Sequence, residues 1–456
     1  MLKLKERYMK KTTFLLIAVL FCTITSYAQD FKPEVKIGGT IFSGWTYNMD
    51  NADFISKLDT TAATGLNSSA AFGYNPTKNQ FEISRNSFTI DRAYINIKAS
   101  LTPQITARIT PDIFSFKDQS GVNQFAFQLK YAFMDYTPMS TDDGMSLTFE
   151  AGVIPNNWIS NIEKYYGYRG VAKTLTDYAY TLSATRNGTS VARSTGSYFS
   201  SADIGLTTKF TFPGKIADLY LSILNGNGYK VEDFDNRFKD FMATAFIYPL
   251  QADIKKKMDA AKKNKKSRID GIADLTIGGF AYMGKLNKAE NTPGTLGATV
   301  NGQYYQNNRF GGMFNFKYNF DKMGSIKIGG ELSSQSNTIP TVSSPMADSS
   351  ITASGISAFL EFNPPVEMFS DKVYLTFRYD SFSPNTNKPG LNAIGWTADN
   401  AKQSLMIIGL MFKPSNVLTL GLSYHTISYD KNYIVNYDGT TSSSLSRLYF
   451  NTIVDF

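Results

Sequence analysis

The sequence predicts an all-β fold, a transmembrane antiparallel up-and-down β-barrel of sixteen strands. Three observations carry this prediction: amphipathic segments with a period of two, connections that alternate between short and long, and an amphipathic C-terminal segment that ends in Phe456. Successive side chains of a strand point to opposite faces. A barrel can therefore hide its membrane-facing surface in this alternation, without a continuous apolar run.

The amphipathic segments are separated by turn-like or polar stretches. The signal is weakest in 217–224 and 402–413, where both faces are apolar. The sixteen segments are 34–48, 81–99, 104–116, 125–137, 145–154, 199–211, 217–224, 240–249, 272–284, 308–320, 325–334, 352–363, 371–381, 402–413, 416–427 and 445–456.

The connections between these segments differ in length in a regular way. Short links rich in Pro, Gly and Asp, such as 100–103 and 321–324, alternate with long polar links such as 49–80 and 382–401. Short periplasmic turns and long outer loops are typical of bacterial outer-membrane barrels, and an even strand count places both termini at the periplasmic side. The order therefore predicts a barrel in the outer membrane.

The closing segment has one apolar and one mostly polar face. Phe456, Val454, Thr452, Phe450 and Leu448 share the first face. A terminal strand of this kind, ending on an aromatic residue, resembles the closing strand of bacterial outer-membrane barrels.

Residues 1–28 have the parts of a cleaved secretory signal peptide. Five basic residues precede a short apolar run at 14–21, and the small residues Ser26 and Ala28 mark a cleavage site. The only cysteine, Cys22, falls inside this peptide. We therefore expect a mature barrel of residues 29–456 without a thiol or a disulfide.

The charge of the chain is nearly balanced once its parts are separated. The formal net charge is +8, but the mature chain has 41 Lys and Arg against 37 Asp and Glu. A Lys-rich insertion at 250–271 replaces an expected short turn and predicts a brief helix or a disordered basic excursion. It is either a periplasmic contact for an acidic partner or lipid phosphates, or a solvated insertion. Nothing in this balance points to a nucleic-acid partner.

Several motifs between 81 and 285 resemble the phosphate-selective porin O and P family. They are FTIDRAYINI at 88–97, ARITPDI at 107–113, LKYAFMDYTP at 129–138, EAGVIP at 150–155 and LNGNG at 224–228. The resemblance implies a sixteen-stranded and usually trimeric outer-membrane channel. Such channels pass anions along basic side chains on the wall and on a third outer loop that folds inward.

The phase of the strands predicts which charged side chains face the lumen. Rings of Lys or Arg bias a pore toward anions, so eleven cations against seven acids predict a modest anion preference. The alternative is the ordinary polarity of a water-filled wall. The cations are Lys36, Arg92, Lys98, Arg108, Lys130, Lys209, Arg309, Lys317, Lys327, Arg378 and Arg447, and the acids are Asp112, Glu150, Asp203, Glu331, Glu361, Asp380 and Asp455.

The third and longest outer loop, 155–198, is the predicted constriction. It carries more cations than acids, together with a cluster of tyrosines at 165–168 for which packing against the wall is the favoured role. Arg186 and Arg193 also belong to it. The predicted pore constriction and anion path comprises Lys164, Arg169 and Lys173 in the loop, with Arg92, Lys98, Arg108 and Lys130 on the early strands.

The sequence thus predicts a passive diffusion porin for small hydrophilic solutes, with a modest preference for anions and phosphate as a candidate. The alternative is a barrel platform for surface binding or adhesion through the outer loops. Ser423 and His425 share the lumen face, but a catalytic pair at a lipid-facing surface needs an orienting partner, so we expect no enzyme. No cofactor or metal motif is present. The expected partners are outer-membrane lipid, small anions or other hydrophilic solutes, and two further copies in a homotrimer.

Overall fold

A computed structural model gives the fold of the greater part of the chain. It describes residues 31–49, 52–55, 74–75, 80–81, 86–117, 123–177, 181–186, 189–194, 198–229, 238–263, 271–286, 305–321, 323–340, 348–383, 402–429, 434–436 and 441–456. The predicted signal peptide lies outside the described residues.

Sixteen antiparallel strands form one closed barrel, in which each strand pairs with the next along the chain. This confirms the predicted fold class. The strands are β1 (Glu34–Asn48), β2 (Asn86–Ser100), β3 (Ile105–Lys117), β4 (Asn123–Ser140), β5 (Ser146–Pro155), β6 (Ala202–Thr211), β7 (Ala217–Leu224), β8 (Asp240–Ile247), β9 (Ile272–Leu286), β10 (Tyr305–Asn319), β11 (Ser325–Pro340), β12 (Asp348–Asn363), β13 (Val373–Ser383), β14 (Gln403–Ser415), β15 (Leu418–Tyr429) and β16 (Ser444–Asp455).

The barrel closes where the last strand meets the first. β16 pairs with β1 from Thr40 opposite Asp455 to Asn48 opposite Arg447. Gly39 and Phe456 then exchange two backbone hydrogen bonds, of 2.8 and 3.0 Å. The terminal aromatic residue is therefore part of the seam, and a closed sheet leaves no unpaired edge.

The outer face of the barrel carries a belt of exposed apolar side chains. Phe127 on β4, Phe310 on β10 and Ile356 on β12 are among those that point away from the lumen. Apolar area costs about 25 cal/mol per Å² in water, and soluble monomers rarely expose so much of it. The belt fits the hydrocarbon core of an outer membrane. In the part of the chain that the structure describes, no helix is long and apolar enough to cross a membrane.

Short connections occupy the barrel rim that also holds both chain ends, with one exception. Between β8 and β9 the chain forms an α-helix, Gln251–Lys263, which we call α2. This corresponds to the helical alternative for the Lys-rich insertion, and residues 264–270 lie outside the described part. The side chain of Lys257 donates to the carbonyl of Gly271, which ties the helix to the start of β9.

The connection between β5 and β6 turns into the barrel. It begins with helix α1 (Asn157–Tyr166), whose N-cap residue Asn156 accepts hydrogen bonds from the backbone of Trp158 and Ile159. The helix ends at Gly167 with φ of 81°, a left-handed conformation that glycine adopts without strain. A short hairpin, Thr181–Arg186 with Thr189–Ser194, follows later in the same connection.

Candidate channel constriction

The segment 156–177, here called the inner loop, lies across the lumen and is packed against its wall. Trp158 is fully buried, and its ring centre lies 5.9 Å from that of Phe246 on β8 and 4.6 Å from that of Phe280 on β9. Aromatic pairs at these separations attract each other beyond the burial of area. α1 is thus fixed to the wall beside β8 and β9.

Further along, the inner loop reaches strands on the other side of the barrel. Lys327 on β11 donates to the carbonyl of Tyr166 over 3.2 Å, and the Tyr168 hydroxyl donates to the carboxylate of Glu361 on β12. Asn451 on β16 donates to the carbonyl of Gly170 over 3.0 Å. The loop therefore bridges the lumen.

The end of the inner loop is held by two charged residues of the wall. Glu331 on β11 accepts from the backbone N–H and the hydroxyl of Thr176, over 3.4 and 3.1 Å. Arg378 on β13 donates to the carbonyl of Lys173 over 2.6 Å. These contacts leave β2, β3 and β4 as the wall that faces the cations of the loop.

Two local irregularities shape that wall. The pairing of β1 with β2 skips Asp91, and the pairing of β3 with β4 skips Lys130. A bulge of this kind shifts the side-chain phase by one residue. Ile90 points outward, and because of the bulge at Asp91 the side chain of Arg92 points inward. The bulge at Lys130 leaves two successive residues, Lys130 and Tyr131, both buried in the wall.

Arg92 is paired with an acid. Its guanidinium lies 2.8 Å from the carboxylate of Asp112, which is itself buried and also accepts from the hydroxyl of Tyr229 over 3.3 Å. The pair keeps part of its positive character at the lumen, since Arg92 is more exposed than Asp112.

Arg108 and Lys130 have neutral hydrogen-bond partners, and Arg108 also interacts electrostatically with the carboxylate of Asp135. Arg108 donates to the side chain of Asn96 over 2.7 Å and lies 4.5 Å from the ring centre of Tyr131. Lys130 donates to the Tyr94 hydroxyl over 2.9 Å, with its ammonium 4.2 Å from the centre of that ring. Cation–π contacts stabilise such charges without cancelling them.

The cations of the inner loop face this wall. Arg169 forms ion pairs with Glu163 and, over 2.9 Å, with Asp177, and it interacts electrostatically with Tyr94 and Tyr131 of the wall. Burial, the largest single effect, would lower the pKa of Arg169, but Asp177 together with Tyr94 and Tyr131 outweighs it and the pKa is raised.

Lys173 shares Asp177 with Arg169. Its ammonium lies 3.7 Å from that carboxylate. Burial lowers the pKa of Lys173 below its ordinary value; Asp177 opposes this shift, whereas the neighbouring cations Arg92 and Arg169 add to it.

Five of the seven predicted site residues thus share one region: Arg92, Arg108, Lys130, Arg169 and Lys173. Lys98 is exposed near the end of β2, where its cross-strand neighbour is Arg108. Lys164 lies apart, 5.6 Å from the ring centre of Tyr165, and lines a cavity of about 820 Å³ at the rim of short turns with Lys209, Lys255, Asp218 and Asp274. The side chains of Arg186 and Arg193 lie outside the described part.

Tyr94, Tyr131 and Tyr229 were not predicted as site residues. Tyr94 shares the phase of Arg92 and Lys98 on β2, so its inward direction was available from the alternation. The place of Tyr131 depends on the bulge at Lys130, for which the sequence gives no clear signal. The tyrosines of the inner loop pack as expected: the ring centres of Tyr166 and Phe359 are 5.4 Å apart.

Ser423 and His425 do form a pair at the lumen wall, with Oγ and Nε2 3.0 Å apart. Ser423 is only 1% exposed, and the imidazole packs 4.2 Å from the ring of Tyr449. A buried hydroxyl cannot reach a substrate carbonyl, so this pair reads as wall packing. Among the described residues, no group of His, Cys, Asp and Glu is arranged to hold a metal ion.

Comparison with known proteins gives similarity in fold alone. The sequence matches no protein-family model and no curated protein. An anion-selective porin from Comamonas acidovorans aligns with a TM-score of 0.50 at 10% identity, over 93% of this chain and 100% of that chain. The outer-membrane channel DcaP of Acinetobacter baumannii gives 0.48 at 10% identity, over 94% and 99%. OmpF of Salmonella typhi gives 0.45 at 10% identity, over 92% and 97%.

The closed sixteen-stranded barrel of this chain is thus similar in fold to the anion-selective porin. Membership of the phosphate-selective porin O and P family, suggested by the motifs, stays a prediction.

Proposed function

We propose that this protein is a passive diffusion channel of the bacterial outer membrane for small hydrophilic solutes, with a preference for anions. The observation that carries the proposal is the cluster of cations at the place, here called the slot, where the inner loop faces β2–β4. Cations line both of its sides, and on the wall side Arg108 and Lys130 have neutral partners.

The charge of this slot follows from how its members are paired. A cation held by an amide, a hydroxyl or an aromatic ring keeps its full positive field, whereas a close carboxylate cancels most of it. Arg169 and Lys173 are balanced by two acids of the loop, Asp177 and Glu163. The net positive charge of the slot therefore comes from Arg108 and Lys130 on the wall side. An ion that enters the slot therefore meets a net positive potential.

Phosphate is one anion that such a slot would pass, and guanidinium groups bind it well. The motifs of the chain resemble those of the phosphate-selective family. From the same resemblance we also propose that the protein forms a homotrimer. Chemical cross-linking of the protein in native membranes tests the trimer directly.

The test of anion preference is the reversal potential across a planar bilayer under a KCl gradient. Wild-type channels should favour chloride, and the double variant Arg169→Glu, Lys173→Glu should lose or reverse this preference. The matched control is Lys256→Glu on α2, which changes an exposed charge of the periplasmic helix and should leave the ratio unchanged. Adding phosphate in place of chloride then ranks the two anions.

Open channels without an ion preference would keep the pore and reject the anion path. Absence of conductance from correctly folded protein would reject the channel and favour the barrel as a platform for surface binding.

A further inference from the structure

The acids and the cations that the strand phase places in the lumen differ in how many of them the fold buries. Of the seven predicted acids, five are buried: Asp112, Asp203, Glu331, Glu361 and Asp380. Of the eleven predicted cations, three are buried: Lys130, Lys327 and Arg378. Water in the lumen therefore meets most of the cations and few of these acids.

Three of the buried acids lie on consecutive strands, β11, β12 and β13, beneath the inner loop. Glu331 accepts from Thr176, and Glu361 accepts from Tyr168. Asp380 is paired with Arg378, which in turn donates to the backbone of Lys173. Each acid is thus joined to the loop directly or through one residue.

The three acids differ in what balances their charge. Asp380 binds the guanidinium of Arg378 through two hydrogen bonds, and Glu361 lies 3.2 Å from the ammonium of Lys327. The hydrogen bonds to Glu331 come from the neutral donors of Thr176, and Arg378 is a cation that interacts with it electrostatically. If the loop left the wall, Glu331 would present a negative charge to the lumen.

We infer that the inner loop sets the ion preference by covering this acidic part of the wall as well as by its own cations. The inference rests on the proposed channel function and deepens it. Tyr168 and Thr176 are its positioning residues: they touch no permeating ion, but they hold the loop over Glu361 and Glu331. With the loop in place, the lumen has cation-rich β2–β4 on one side and the Arg169 and Lys173 face on the other.

A loop held for shape alone would bond neutral groups of the wall equally well. Here the side-chain donors Tyr168 and Thr176 end on carboxylates, whose exposed charge would attract cations. Each of these carboxylates keeps a hydrogen-bond partner when water is excluded, which offsets part of the cost of burying it. The arrangement hides negative charge while it narrows the pore.

The test compares four proteins by reversal potential under a KCl gradient: wild type, Tyr168→Phe with Thr176→Val, Glu331→Gln, and the triple variant. The loop-release double variant should lower the chloride-to-potassium permeability ratio by about twofold, as expected for a unit charge uncovered near the ion path. Glu331→Gln alone should leave the ratio near the wild-type value. The triple variant should have a ratio restored to near the wild-type value, because Glu331→Gln removes the charge that loop release uncovers.

A second variant releases the loop by a different route. A Cβ on Gly170 would lie 2.7 Å from Cδ1 of Phe42 and 2.7 Å from Cδ1 of Ile453, so Gly170→Val should push the loop off β1 and β16 and lower the ratio as well. Heat-modifiable migration in SDS gels selects folded barrels for every measurement.

An unchanged ratio in both release variants would overturn the inference. The inference would also be overturned if Glu331→Gln raised the chloride-to-potassium ratio equally in the wild type and in the loop-release variant. Glu331 would then be exposed to the lumen in both proteins. A wild-type channel without ion preference would contradict the proposed anion path. If the loop-release variants of that channel still shifted the ratio toward potassium, the inference that the inner loop covers the acids would be supported.

Discussion

Lys130 donates a hydrogen bond to the hydroxyl of Tyr94 over 2.9 Å, and its ammonium lies 4.2 Å from the centre of the same ring. The two residues are 36 positions apart, on β4 and β2, and both are buried in the lumen wall. The ring and hydroxyl hold the ammonium without an opposing charge. This pair places a positive charge at the slot.

We expect Lys130→Met to weaken the anion preference without closing the channel. A unit charge about 10 Å from an ion in water contributes about 0.4 kcal/mol, which is a factor of about two in the permeability ratio. Reversal potentials under a KCl gradient measure this ratio, and low salt increases the effect because screening is weaker.

Lys256→Met on α2 is the matched control for this variant, since it removes the same charge from an exposed position of that helix. Lys130→Arg keeps the charge and should keep the preference. If Lys130→Met and Lys256→Met gave the same ratio, the Lys130 charge would play no part in selection.

The membrane-facing belt leads to a prediction about stability. Phe314 near the middle of β10 is 46% exposed on the outer face. Phe314→Arg should lower the free energy of unfolding by about 2–4 kcal/mol, the cost of a cation at the bilayer midplane. Reversible urea unfolding in lipid vesicles measures it.

Phe314→Leu serves as the control because it keeps an apolar side chain toward the lipid, and its loss should be about 1 kcal/mol. Equal losses for Arg and Leu would mean that this position does not face the hydrocarbon.

The barrel was predictable because its two surroundings impose a period of two on the sequence. Lipid outside and water inside separate side chains of successive residues, so the strand count, the closing role of the last strand and most lumen positions follow from the alternation. β11 shows the limit of this signal: it continues to Pro340, six residues past the predicted end, because polar residues pair as well as apolar ones at the rim.

The sequence predicted where the inner loop lies but did not predict its contacts. Its contacts join residues far apart in sequence, such as Tyr168 and Glu361 at a separation of 193 positions, and no local pattern encodes them. Lys164 was assigned to the constriction on composition, but helix α1 directs it toward the rim cavity. The bulge at Lys130, which sets Lys130 and Tyr131 side by side, leaves no mark in the hydrophobic pattern.

Lys173 gives the channel a predicted dependence on pH. A lysine loses its positive charge as the pH rises through its pKa, so the lowered pKa of Lys173 moves this loss below the ordinary lysine value of about 10.4. The anion preference should therefore decline with rising pH before an ordinary lysine would titrate. Reversal potentials measured from about pH 7 to about pH 10 follow the decline.

Lys173→Arg identifies the group responsible, because a guanidinium stays charged above about pH 12. We expect this variant to match the wild type at neutral pH and to keep more of its preference than the wild type in alkaline solution. A variant that declined in parallel with the wild type would assign the titration to another group, and Lys173 would then contribute to the slot only as a fixed part of the loop beside Asp177.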